Sequence, residues 1–283
     1  MLLEGRHLVV TGALTRTSIA TAVARLAIAE GATCTFTTPA RTRKATTHTV
    51  RPFAPDADIL VVDVTREDEI ASAVDHVARA RGQVDGLVHS VAYSPPSCLQ
   101  GDFLGAGWDD VATTLQVSAY SLAALVRGFA PLMPPGSSVV ALDFDGSRVW
   151  PLYNWMGVAK AALACTARYL AAALGERSIR VNLVSSAPLN TFSARGISSA
   201  FGYVASEFGK RAPLGWDPDD AEPTARACVA LLSDWFPATT GERVHVDGGF
   251  HAVWAAITAD DVVAYSEAVA EDAPPVSLAG EPA

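Results

Sequence analysis

Short, uniformly apolar runs alternate with segments of helical period along most of this chain. His7-Leu-Val-Val-Thr-Gly12 reads as a buried strand. Ser18 to Glu30 follows as an amphipathic helix with Ile19, Val23, Leu26 and Ala27 on one face and Gly31 as its stop. Thr33–Thr38, Ile59–Asp63 and Gly86–His89 repeat the strand pattern, with a helix over Glu67–Arg81 between the last two. A long helix over Ala112–Leu132, a strand over Ser138–Leu142 and a helix over Tyr153–Leu174 come next. Strand Ile179–Leu183, helix Ala221–Ser233 and strand Arg243–Val246 complete the series. Strands apolar on both sides and separated by helices predict one doubly wound parallel sheet with helices on both faces. With no linker and no internal repeat, a single domain is expected over residues 1–255. The acidic, then Pro- and Gly-rich segment 256–283 is expected to be a partly flexible tail.

Composition narrows the function. A formal charge of −9, with basic residues dispersed apart from Arg41-Thr-Arg-Lys44, argues against a nucleic-acid or anionic-membrane partner. The four cysteines are widely spaced with no CxxC pair, which fits reduced thiols in a cytoplasm. The histidines show no ligand spacing, so no metal site is expected, and His89 reads as structural. No signal peptide and no apolar run long enough to span a membrane are visible.

The chemistry concentrates between Asp143 and Lys160. Tyr153 and Lys160 stand seven residues apart, just under two helical turns, and so share a helix face. A phenol there can donate to a carbonyl oxygen where negative charge develops, and an ammonium can hold a ribose and polarise the phenol. Read alone, such a pair is also ordinary packing and solvation. Three turns at the carboxyl ends of the strands add weight, because ligands of open α/β sheets bind at that edge. Gly12 opens a tight turn leading to Ser18 and Ile19 at a helix N-terminus, which suits a pyrophosphate or a simple cap equally. Asp63-Val64 could bind and cover an adenine, and Ser90-Val91-Ala92 is small enough for close approach of a nicotinamide-side ribose.

These segments resemble the short-chain dehydrogenase/reductase superfamily of Rossmann-type folds, and within it the enoyl-acyl-carrier-protein reductases of the mycobacterial, isoniazid-target type. The carrying stretches are Gly12–Ala20, His89–Tyr93, Ser118–Ser121, Asp143–Asp145, Tyr153–Lys160, Arg211–Trp216 and Leu232–Gly241. The Tyr-x6-Lys spacing is the specific feature: ordinary members use Tyr-x3-Lys, and Gly157 stands at that position here. The serine of the carbonyl reductases is replaced by Val140.

The resemblance implies NADH- or NADPH-dependent reduction of trans-2-enoyl thioesters of acyl-carrier protein or CoA, by a homotetramer, in fatty-acid or specialised-metabolite synthesis. It makes Tyr153, Lys160 and Phe144 the catalytic set, Phe144 positioning without transferring a proton. Beyond the residues of the three turns, it adds Val117, Asp143, Pro188, Leu189 and Thr191 to the cofactor contacts. Tyr93, Met156 and Phe192 would line the acyl site with Tyr153.

Some features depart from the family. Pro39 stands where the mycobacterial members have an aromatic beside the adenosine, no acid ends the second strand to take a ribose 2′-hydroxyl, and Arg41, Arg43 and Lys44 follow, either facing a 2′-phosphate or forming a solvated basic loop. The stretch Thr191–Arg211 is shorter than the substrate loop of the long-chain relatives, which suggests shorter acyl chains. Ser186 and Ala187 precede Pro188 in place of smaller residues. The alternatives are a carbonyl or imine reductase on the same fold and a non-catalytic nucleotide sensor.

Overall fold

The computed structural model describes residues 1–99, 102–150, 153–192, 194 and 201–253. Among these described residues, seven strands form one all-parallel sheet: β1 (His7–Thr11), β2 (Thr33–Thr38), β3 (Ile59–Val61), β4 (Gly86–His89), β5 (Ser138–Asp143), β6 (Arg180–Ser186) and β7 (Arg243–Val246), in the order β3-β2-β1-β4-β5-β6-β7. The order reverses between β1 and β4, whose carboxyl ends therefore flank a crevice. Helices α1 (Ile19–Ala29), α2 (Arg43–Val50), α3 (Glu67–Arg81), α4 (Trp108–Leu115), α5 (Ser121–Phe129), α6 (Asn154–Leu174), α7 (Phe201–Arg211) and α8 (Glu222–Leu232) connect or flank the strands.

Alternation within the strands feeds two cores. Val9, Leu87, Val139, Ala141 and Val181 join α3, α5 and α6 on one face. Leu8, Val10, Val88, Val140 and Val184 join α1 and α8 on the other. Helix α6 is long and apolar enough to cross a membrane by length and composition, yet it lies on the sheet with Ala159, Leu163 and Ala167 buried in the protein.

Four stretches differ from the sequence-based expectation. The basic run after Pro39 is not a loop: a 3-10 turn (Ala40–Thr42) leads into α2. Its buried residues are Thr46, Thr49 and Val50, and Thr38 Oγ1 bonds to both Thr42 Oγ1 at 2.8 Å and Thr46 Oγ1 at 2.9 Å, so no apolar period marks it. The long helix starts at Trp108 and is broken by a π turn (Gln116–Tyr120) that rotates Ser118 toward Tyr93. The stretch expected to be a loop before Arg211 contains α7. Strand β3 stops at Val61, and Asp63 turns back to accept from Thr65. The expected tail lies outside the described residues.

Candidate active site

A cavity of about 790 Å³ runs along the carboxyl ends of the strands, from Thr38, Pro39 and Arg41 at one end, past Gly12 and Ser90, to Phe144, Trp150 and Tyr153 at the other.

Its floor is built on a close approach of two backbones. Gly12 has φ +85°, and a Cβ on it would fall 2.0 Å from the Ser90 carbonyl oxygen. Thr11 Oγ1 locks the same junction, donating to Val88 O at 3.0 Å and accepting from Ser90 N–H at 2.9 Å. The two readings of Ser18 separate here: its hydroxyl makes no cap to α1 and instead accepts from the Thr15 N–H at 3.0 Å. No side chain caps the start of α1, although the Thr21 N–H already donates to Ser18 O at 2.9 Å, and a helix N-terminus of this kind suits an anion. Across the crevice, Asp63 Oδ1 accepts from Thr65 N–H and Oγ1–H. Burial opposes its charge, but these two bonds, with Arg41 and Arg66 nearby, hold the carboxyl below its usual range.

The other end is set by α6 and β5. Tyr153 is the N-cap of α6, and Lys160 lies within it, 6% exposed, donating from Nζ to Leu142 O at 2.9 Å. Burial pushes the Tyr153 phenol well above its ordinary pKa, and the neighbouring Asp143 carboxylate adds to the shift. Burial and Asp143, rather than Lys160, are the causes of that shift. Burial lowers Lys160, and Asp143 works against that. Asp143 is itself pushed up by burial, opposed by Lys160 and Arg243. Phe144 meets Tyr153 edge-on, with centroids 5.2 Å apart.

His89, at the end of β4, is fully buried. Ser121 Oγ donates to Val117 O at 2.7 Å, so the 2.8 Å contact with His89 Nε2 leaves the imidazole as the donor. Among the described residues its Nδ1 has no hydrogen-bond partner, and burial with Lys160 nearby pushes its pKa down to about 3.

Most of the residues singled out from sequence meet at this cavity. Gly12, Ser18, Ile19, Asp63, Val64, Ser90, Val91, Ala92, Val117 and Asp143 line it. Phe144, Tyr153, Lys160, Ser186, Ala187, Pro188, Leu189, Thr191 and Tyr93 do so as well. Two expected substrate residues do not. Met156, 2% exposed, faces Leu99 and Ala159 beneath Tyr153, because α6 turns that side inward. Phe192, 72% exposed, lies outside the lining.

Sequence reasoning missed Trp150, whose Nε1 donates to Asp145 O at 2.6 Å. Its ring sits between Phe144 (4.8 Å) and Phe208 (5.5 Å), walling the cavity. It also missed Val204 on α7, which lines the cavity, and Arg243 beside Asp143. Trp150 stood in plain view three residues before the tyrosine, but nothing in its spacing distinguished a wall from packing.

A family model described as "Enoyl-(Acyl carrier protein) reductase" matches residues 12–251. The chain is 38% identical over 261 residues to an "Enoyl-[acyl-carrier-protein] reductase [NADH]" of Mycolicibacterium smegmatis, covering 88% of this chain and 97% of that protein. It is 37% identical over 254 residues to the NADH-named FabI reductase of Bacillus subtilis, covering 88% and 97%. With the NADPH-named FabI reductase of Staphylococcus aureus it shares 35% over 254 residues, covering 89% and 98%.

Proposed function

We propose, for a chain that belongs to the enoyl-(acyl carrier protein) reductase family, that the cavity binds NADH or NADPH together with a trans-2-enoyl thioester and reduces its double bond. The observation that carries this reading is the convergence of Tyr153, Lys160 and Phe144 at one end of a cavity whose floor, at Gly12 and Ser90, admits a backbone-hugging dinucleotide. The bound nicotinamide supplies the hydride for the β-carbon of the substrate.

This chain's residues do the rest. Tyr153, kept protonated by its surroundings, donates a hydrogen bond to the thioester oxygen as negative charge gathers there. Lys160, with Asp143 favouring its charged form, holds the ribose hydroxyls. Phe144 has no proton to give and shapes the space between ring and substrate. At the far end, Ser18 and the start of α1 take the pyrophosphate, and Asp63 with Val64 takes the adenine.

The substrate is carried on acyl-carrier protein or CoA in fatty-acid or related synthesis, and the enzyme works in the cytoplasm as a homotetramer. Large side chains left exposed on α4 and α6, among them Trp108 (72%) and Tyr169 (75%), support the assembly.

The test is loss of nicotinamide absorbance with purified protein and enoyl thioesters of increasing chain length. Turnover is expected. Tight cofactor binding without turnover of any thioester would overturn the reading in favour of a carbonyl or imine reductase.

A further inference from the structure

β7 contributes no residue to the cavity lining, yet one of its side chains reaches beneath it. Asp143 ends β5 with its carboxylate fully shielded from solvent; among the described residues neither oxygen meets a well-aligned donor, and the nearby Phe144 N–H and Arg243 guanidinium favour its charge. A buried carboxylate stays ionised only beside positive charge. Arg243 supplies it: Nε lies 2.8 Å from Asp143 Oδ2, and Nη1 lies 2.5 Å from Asp145 Oδ1. The register makes this a long reach, since Arg243 pairs with Leu183 whereas Asp143 pairs with Ser185, two residues further along β6. Other groups facing the carboxylate are Lys160 and the Tyr153 phenol, both from α6. Asp145, on the loop after β5, also meets His245 of β7 at 3.5 Å, and His89 of β4 faces Lys160. His245 stacks on His251 at 3.9 Å, which holds Asp247 at 3.0 Å.

We propose that Arg243 is a positioning residue of the site: its guanidinium keeps Asp143 a carboxylate, and that carboxylate keeps Lys160 an ammonium. Burial opposes the charge of both Asp143 and Lys160, and each favours the charged form of the other. Arg243, 2.8 Å from the carboxylate, adds to that favour on the side of Asp143. Lys160's service to a ribose rests on the function proposed above, whereas the link from Arg243 to Asp143 does not.

The experiment follows the carboxyl ¹³C resonance of Asp143 in the cofactor-free full chain, assigned by its loss in Asp143→Asn. In Arg243→Gln the Asp143 midpoint should rise by about one pH unit or more, the effect of a guanidinium on a carboxylate. Arg243→Lys, a point charge without the fork, should restore part of it. The acidic limb of NADH or NADPH affinity, read by fluorescence, should move upward with it. An Asp143 midpoint unchanged in Arg243→Gln overturns the proposal. Should that variant fail to fold, Asp145→Asn decides: freeing the guanidinium from its second carboxylate must lower the Asp143 midpoint, and an unchanged or raised value overturns it. Because the titration needs no substrate, it can fail while enoyl reduction stands, and the reverse.

Discussion

A side chain of any size at Gly12 would collide with Ser90: the first carbon alone would lie 2.0 Å from the Ser90 carbonyl oxygen. The positive φ of Gly12, +85°, adds a second objection, worth about 1–2 kcal/mol for an L-residue. Gly12→Ala must therefore push β1 and β4 apart where the dinucleotide is to lie. The expected result is a melting temperature lower by several degrees and a cofactor affinity reduced at least tenfold, read by thermal melting and fluorescence titration. Unchanged binding would mean that the dinucleotide does not rest on this junction.

On the proposed mechanism, Tyr153→Phe removes the hydroxyl that donates to the developing oxyanion while keeping the ring against Phe144, 5.2 Å away. The turnover number should fall by about 10²-fold, the cost of losing one oxyanion donor, with cofactor affinity unchanged. Because the phenol's pKa is raised, Tyr153 keeps its proton throughout the neutral range. The parent's rate should then show no decline attributable to its ionisation between pH 6 and 9, a profile that steady-state kinetics would give directly.

His89 makes the fold acid-sensitive. Its pKa falls from 6.5 in the unfolded chain to about 3 in the fold, so the folded state binds fewer protons over that window. Stability is lost as pH drops from 6.5 toward 3, by roughly 1.4 kcal/mol per unit at most. His7, lowered to about 4, acts in the same direction. His89→Gln should flatten the dependence of melting temperature on pH below 6.5, and a slope identical to the parent's would exclude His89 as its source.

Arg41 bears on the choice between NADH and NADPH. It lines the adenosine end of the cavity beside Thr38 and close enough to Asp63 to favour its charge. With Thr38-Pro39-Ala40 and no acid at the end of β2, that strand end carries no negative charge to repel a 2′-phosphate. Arg41→Ala should raise the KM for NADPH by about tenfold, the value of a hydrogen-bonded charge pair, and leave NADH nearly unaffected. Equal effects on both cofactors would leave Arg41 a solvated cation.

What the sequence disclosed follows from what apolar periodicity can report. Strands such as Thr33–Thr38 and Gly86–His89 were legible to the residue because both faces are buried, and α3 because its acidic start and Gly82 stop frame it. Helix α2 was not, because hydroxyls of Thr38, Thr42 and Thr46 satisfy one another where a core helix would show leucines. At the site, the seven-residue spacing of Tyr153 and Lys160 was readable, since one helix fixes it. The same helix misled at Met156, three residues on, because only packing against Leu99 decides which side faces the cavity. Arg243 was out of reach, as its meeting with Asp143 depends on the registers of two strand pairs.

Trp150 is expected to limit the room for the acyl chain. Its indole forms part of the cavity wall, and behind it lies a small void lined by Phe208, His245 and Phe250. The rings of Phe208 and Phe250 stack 3.9 Å apart, so the partition is backed by aromatics rather than by solvent. Cutting Trp150 back to alanine would join void and cavity and let a longer chain extend between Phe144 and Phe208. Each methylene gained there is worth about 0.8 kcal/mol, so two should change kcat/KM by more than about tenfold. Trp150→Ala is therefore expected to shift the preferred enoyl thioester toward longer chains while losing efficiency on the shortest. The measurement is kcat/KM across a series of chain lengths in parent and variant. A preference that drops uniformly at all lengths would show that Trp150 supports the wall without setting the length it admits.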